Sequence, residues 1–198
     1  MIKIITQSIR QTLAWTVICG ILYPFVFTVF AQLAFPRQAN GSLVMRDGKL
    51  VGSELMAQQF TGAKYFWPRP SAATYGTGPA GLAASSGSNY GPTSAQLQTN
   101  VRGNAKALRD AGKLPADAPV PADLVYASAS GVDPHISPEA AHFQVARVAA
   151  ARGMAEDQVR ALVERFVEPP QWGFLGQSRV NVLLLNLALD AADTKKSG

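Results

Sequence analysis

The chain has 198 residues, 47% of them hydrophobic and 16% charged, and a formal net charge of +5. One cysteine, Cys19, rules out a disulfide within the chain, and two histidines, His135 and His142, are too few for a histidine-rich metal centre. A charge this modest, without any reading motif, argues against nucleic acid as a partner.

Residues 11–36 carry no charged side chain. About 20 apolar residues, rising 1.5 Å each, cross a hydrocarbon core of about 30 Å. The run from Trp15 to Phe30 meets that length, with Leu33 to Phe35 to spare. A cleaved signal would carry an apolar region of about 7–15 residues ending at a small-x-small site. Here the run is longer and its distal half is rich in aromatics, and only Val29-Phe30-Ala31 loosely resembles such a site. The reading is therefore a retained anchor, kinked by Pro24. Lys3 and Arg10 precede it, Arg37 and Arg46 follow, and no acid occurs before Asp47. The positive-inside rule then places residues 1–10 in the cytoplasm and residues 11–35 across the membrane. It places residues 36–198 outside, in a bacterial periplasm, as one globular domain.

Beyond the span, Gly41 to Val44 and the Asp47-Gly48 turn predict a short strand or hairpin. Residues 53–60 predict a short helix packing Leu55, Met56 and Phe60. Tyr65-Phe66-Trp67 opens a long stretch rich in Gly, Ala, Ser and Pro that ends near Pro92. Loops of that length are usually functional or disordered, and three adjacent aromatics, which must be buried, argue for function.

A helix is expected from Ser94 to Ala111, capped by Thr93 or Ser94, with Leu97, Val101, Ala105 and Leu108 on one face and Gly112 as the left-handed stop. Leu124 to Ser128 reads as a strand. Ser137-Pro138-Glu139 starts another helix, with Ala141, Val145, Val148 and the stem of Arg152 inward and a stop at Gly153. The next places Val159, Leu162, Val163 and Phe166 inward. The last element, Arg179 to Asp190, is apolar nearly all round and is either a central strand or a buried helix, the helix being favoured. The fold class expected is α+β.

Several chemistries are missing. Asp133, His135 and Ser137 lie within five positions, which suits a turn and a helix cap better than a triad assembled across a fold. Glu139-x-x-His142 is half of a carboxylate-bridged metal pattern whose other half is absent. No phosphate-binding Gly-x-x-x-x-Gly-Lys-Ser/Thr loop occurs. The chain is not expected to be an enzyme by itself. No Asp or Glu occurs between Glu54 and Asp110, where Lys64, Arg69, Arg102, Lys106 and Arg109 fall. These cations could meet phosphates, or they could be a solvated surface with counter-charges elsewhere in the fold.

The blocks Leu22-Tyr23-Pro24, Gln38 to Leu43, Gln59-Phe60-Thr61-Gly62, Arg69-Pro70-Ser71-Ala72, Ser86-Gly87-Ser88-Asn89, Ala127 to Gly131, Arg147-Val148-Ala149, Val180-Asn181-Val182 and Leu185 to Asp190, in this order, resemble the C subunit of Kdp-type potassium-transporting ATPases. The resemblance covers nearly the whole chain. It implies a single-span accessory subunit of a bacterial inner-membrane complex that imports potassium at the expense of ATP. Its partners would be a channel-like subunit and a P-type ATPase subunit, with membrane lipid around the span. It also implies a catalytic-chaperone role that raises the ATPase subunit's nucleotide affinity, so that ATP is reached through the complex and no cofactor is bound covalently. The residues linked with that role resemble an ABC-type signature loop and here are Ser85, Ser86, Gly87, Ser88 and Asn89, with Asn89 where the signature has glutamine. Arg69 and Ser71 join them in a candidate partner-contacting loop, whose bland reading is architecture, with Arg69 pairing an acid. Asp117, Asp123, Asp133 and Glu139 are the only cluster that could enrich cations. The alternative function is a free-standing anchored binding protein for a phosphate-bearing ligand, using the same loop.

Overall fold

A computed structural model of the chain describes residues 1–73 and 84–194, so positions 74–83 of the long Gly/Ala/Ser/Pro stretch lie outside the described residues. The chain divides into two compact units, Met1–Ser53 and Glu54–Gly198.

The first unit opens with α1 (Ile2–Val17), runs through a π-helical turn at Ile18–Leu22 and continues as α2 (Tyr23–Ala34). Together they form a 33-residue helix with a mean hydropathy of 2.0 in its most apolar window, and no residue of it is buried. Helical structure thus reaches back through Arg10 and Lys3. The wide turn has a local cause. Pro24 has no N–H, and its ring would clash with the carbonyl four residues earlier, that of Gly20. The ladder shifts by one, and the Tyr23 N–H reaches Ile18 O. A short α3 (Pro36–Ala39) follows.

Strands β1 (Leu43–Arg46) and β2 (Lys49–Ser53) then form the expected hairpin. Asp47 and Gly48, at φ 51° and 75°, make the two-residue turn, whose left-handed conformations match the twist of the strands. The predicted helix over 53–60 does not form. Ser53 still belongs to β2, Leu55 is exposed, and the Ala57 N–H donates to Val132 O at 2.9 Å. A long-range backbone bond has overridden a locally helical pattern.

In the second unit α4 (Ala95–Gly112) starts on Ser94, whose Oγ accepts the Leu97 N–H. It runs through Gly112, and Lys113 takes the left-handed position at φ 52°. The expected strand over 124–128 is replaced by a 3₁₀ turn at Ala122–Leu124 and a loop. Strand pairing falls instead to β3 (His135–Ile136). Helix α5 (Pro138–Arg152) has the predicted Ser137 cap, first-turn proline and left-handed Gly153. Helix α6 (Glu156–Arg165) follows, then β4 (Val167–Glu168), β5 (Arg179–Asn181) and α7 (Val182–Thr194). The ambiguous last segment is both things in turn: a short strand, then a helix.

The three strands form an antiparallel sheet in the order β3-β5-β4. Val145, Val148, Val159, Val163, Leu185 and Leu189 bring α5, α6 and α7 together in one core that also holds Phe66, all essentially inaccessible. The second unit is therefore α+β, as the sequence predicts.

Candidate partner-contacting surface

Phe66 is fully buried and Tyr65 and Trp67 partly so, yet segment 63–67 belongs to no helix or strand and its backbone polar groups need partners. Side chains supply them. Asn186 of α7 accepts the Phe66 N–H at 2.8 Å and donates to Phe66 O at 3.0 Å. Gln144 of α5 does the same for Trp67, at 2.8 and 3.2 Å. Each carboxamide thus stands in for the edge of a neighbouring strand. Arg147 donates to Ala63 O at 2.7 Å and to Gln144 Oε1 at 2.6 Å, with its guanidinium 4.2 Å from the Trp67 ring centroid. Burial pushes the Arg147 guanidinium down to about 10, which still leaves it charged at neutral pH. Arg152, buried to the stem, donates to Lys64 O at 2.6 Å and pairs with Asp190 at 2.8 Å and with Asp193.

The clamp fixes where the next residues go. Segments 69–73, 85–89 and 128–133 are knitted side by side. Arg69 pairs with Asp133 at 3.0 Å. Ser71 Oγ donates to Gly131 O at 2.6 Å and accepts the Ala73 N–H at 2.9 Å. Ser85 Oγ and the Ser86 N–H both donate to Ser130 O, at 2.8 and 3.0 Å, and Ser86 Oγ reaches Ala72 O at 3.2 Å. The Ser128 N–H donates to Pro70 O at 3.0 Å. The glycines belong to the same seam. A methyl group on Gly87 would sit 2.6 Å from Ala129 O, and one on Gly131, at φ 71°, would sit 2.5 Å from Ser86 O. Arg69, Ser71, Ser85 and Ser86 therefore commit polar atoms to the neighbouring segments, and Gly87 lets two backbones touch. Ser88 lines a cleft of about 500 Å³ with Tyr90, Asn100 and Asn104, while Asn89, left-handed at φ 53°, is exposed. A second cleft, of about 330 Å³, lies along Phe60, Trp67, Arg69 and Leu108.

Three of the four candidate cation-attracting acids meet. Asp123, Asp133 and Glu139 line one cleft of about 540 Å³ together with Arg69 and Arg179, whereas Asp117 is exposed between α4 and the 3₁₀ turn and is not in its lining. Asp123 Oδ2 accepts the Ser137 N–H at 2.7 Å. Burial alone would raise Asp133, but hydrogen bonds from the side chain and backbone of His135, with the bond and charge of Arg69, outweigh it. They hold its carboxyl below the usual carboxylate range. Two of the acids are thus engaged in holding the loop and the start of α5. Ser137 Oγ accepts the Ala140 N–H as a cap, and His142 faces Glu164 at 2.8 Å rather than Glu139. Among the described residues no group of three His, Cys, Asp or Glu side chains is placed to hold a metal ion.

The cations of the acid-free interval do not converge. Lys106 pairs with Asp110 at 2.5 Å, Arg109 donates to Ala118 O, and Lys64 lies 5.1 Å from the Tyr65 ring centroid. Of these cations Arg69 takes its counter-charge from elsewhere in the fold, Asp133, while that of Lys106 lies one turn on in the same helix. Sequence reasoning did not single out Gln144, Asn186 and Arg152 as anchors. Their signal was there: a carboxamide or guanidinium on the inner face of an otherwise apolar helix has to be bonded to something.

An apolar N-terminal helix, joined to an α+β domain whose described loops are hydrogen-bonded to one another, defines a membrane-anchored chain with a surface assembled from several loops. The family profile described as "K+-transporting ATPase, c chain" matches residues 5–191, and the chain belongs to that family, KdpC. It is similar to the protein named potassium-transporting ATPase KdpC subunit in Methylococcus capsulatus, 53% identical over 96% of this chain and 99% of that relative. The proteins of the same name in Geobacter metallireducens, 53% identical over 94% and 96%, and in Burkholderia cenocepacia, 54% identical over 89% and 90%, are alike at similar length.

Proposed function

We propose that this chain is the anchored accessory subunit of an ATP-driven potassium-import complex in the bacterial inner membrane, assembled with a channel-like subunit and a P-type ATPase subunit. The observation that carries this reading is the family match across nearly the whole chain, span and domain together. The commitment of the loop side chains to neighbouring segments supports a contact surface rather than a reaction centre, and among the described residues no nucleophile, base and orienting group converge in the loop.

Residues 1–10 lie in the cytoplasm and the α+β domain lies outside. Loop 85–89 is then separated from cytoplasmic ATP by a bilayer. Its chaperone role has to act at a distance, through contacts that differ between two states of the ATPase subunit. The kinked helix is suited to carry part of that coupling, because Gly20 and Pro24 allow a partner helix to approach closely. The cleft of Asp123, Asp133 and Glu139, with Asp117, draws cations toward the channel-like subunit. Asp117 and Glu139 are the pair to replace, because Asp123 and Asp133 hold backbone and Arg69. An unchanged apparent potassium affinity would remove that role.

The test of the whole reading is a mild-detergent pull-down of the tagged chain from its native membranes. Near-stoichiometric recovery of a P-type ATPase and a channel-like subunit is expected. A folded chain that emerges alone would overturn the reading.

A further inference from the structure

Between β4 and β5 the chain runs Pro169-Pro170-Gln171-Trp172-Gly173-Phe174-Leu175-Gly176-Gln177-Ser178 without a single charge. Trp172 is 77% exposed, Phe174 74%, and Leu175 is open too. Scattered exposed apolar residues are ordinary, but a tryptophan, a phenylalanine and a leucine on one tip are not.

The tip is also stiff. Gln171 and Leu175 exchange both backbone hydrogen bonds, each at 2.9 Å, the Gly173 N–H donates to Pro170 O at 2.9 Å, and the Phe174 N–H donates to Gln171 O at 3.3 Å. Trp172, Gly173 and Gly176 all sit at positive φ, which turns the chain sharply enough to present the rings outward. Pro169 and Pro170 have no N–H to satisfy. Backbone groups that are already bonded remove much of the cost of taking a loop out of water.

We propose that this tip is an interfacial membrane anchor, with Trp172, Phe174 and Leu175 entering the boundary between headgroups and acyl chains of the bilayer that holds the N-terminal helix. Tryptophan favours that boundary, where its ring is in apolar surroundings and its N–H stays wet. Entry needs no charge to be stripped of water, because Glu168 and Arg179 stand at the base of the tip, paired at 2.9 Å. The occupant follows from the tether. Residues 35–53 join the long helix to the second unit, and a stretch of that length spans at most about 65 Å, so lipid is within reach of the domain in every assembly state. The inference rests on reading Ile2–Ala34 as a span.

The test uses the full chain in phosphatidylcholine vesicles, with or without bromine on the acyl chains, compared with Trp172→Phe. The wild type should lose more emission to brominated lipid than the variant does, the difference amounting to about the share of one tryptophan in three. Emission from Trp172 that is indifferent to bromine but quenched by aqueous iodide would overturn the proposal. A photoreactive group at Phe174 of the chain in its native membranes should cross-link to lipid, and capture of a protein subunit instead would also overturn it. Carbonate extraction is run in parallel. Release of the chain by carbonate sinks the span and with it the anchor, whereas retention with an unquenched Trp172 sinks the anchor alone.

Discussion

At the scale of single residues, the domain depends on a few buried polar side chains that act as pieces of backbone. Replacing Asn186 with Leu keeps roughly the volume of the side chain but leaves the N–H and C=O of Phe66 without partners. An unsatisfied buried group costs about 1–3 kcal/mol, so Asn186→Leu should destabilise the domain by about 3 kcal/mol in urea unfolding of the full chain. Substitution of an exposed helical carboxamide such as Gln98 of α4 should change stability by less than about 0.5 kcal/mol. The Asp133 carboxyl has a signature in pH. Its folded value lies below the ordinary 3.8, so its contribution is complete above that value and is lost as pH falls through the lower, folded one. Unfolding midpoints measured from pH 6 downward should fall in the acid limb, and Asp133→Asn should flatten that fall. An unchanged acid limb would mean that the pairing with Arg69 and His135 contributes nothing.

At the scale of elements, the loop seam and the kinked helix make separate predictions. Gly131→Ala puts a methyl group 2.5 Å from Ser86 O at a left-handed position. It should separate segment 85–89 from segment 128–133 and lower stability by about 2 kcal/mol or more, the range for strain at such sites. Pro24→Ala should let the wide turn at Ile18–Leu22 relax to an ordinary helix. Membrane retention should not change, while recovery of partner subunits in a pull-down should fall several-fold. Full recovery would show that the kink is not a contact.

Elements whose cause is local were legible in the sequence: the Asp47-Gly48 turn, the Ser137 cap with its proline, the stop at Gly153 and the uncharged span. Those decided across the fold were not. Residues 53–60 look helical until Ala57 is required by Val132, and residues 124–128 look extended until Pro70 takes the Ser128 N–H. The candidate loop was found as a stretch of sequence. That Arg69, Ser71 and Ser85 would bond to segment 128–133 depends on that segment lying alongside, which no local pattern encodes.

At the scale of the whole molecule, a hydrogen-bonded loop surface on a tethered domain fits the proposed role of an accessory subunit that binds partners. Membership of the KdpC family across residues 5–191 gives those partners a context. On the function proposed above, the chain would contribute binding energy that differs between states of its partners, and its effect should be stoichiometric rather than catalytic. The most direct measurement is potassium-stimulated ATP hydrolysis by the complex purified without this chain, with the chain titrated back. The account predicts little activity at the start, a linear rise that saturates near one chain per complex, and a lower apparent KM for ATP at saturation. Full potassium-stimulated activity before any chain is added would contradict it, as would ATP hydrolysis by the chain alone.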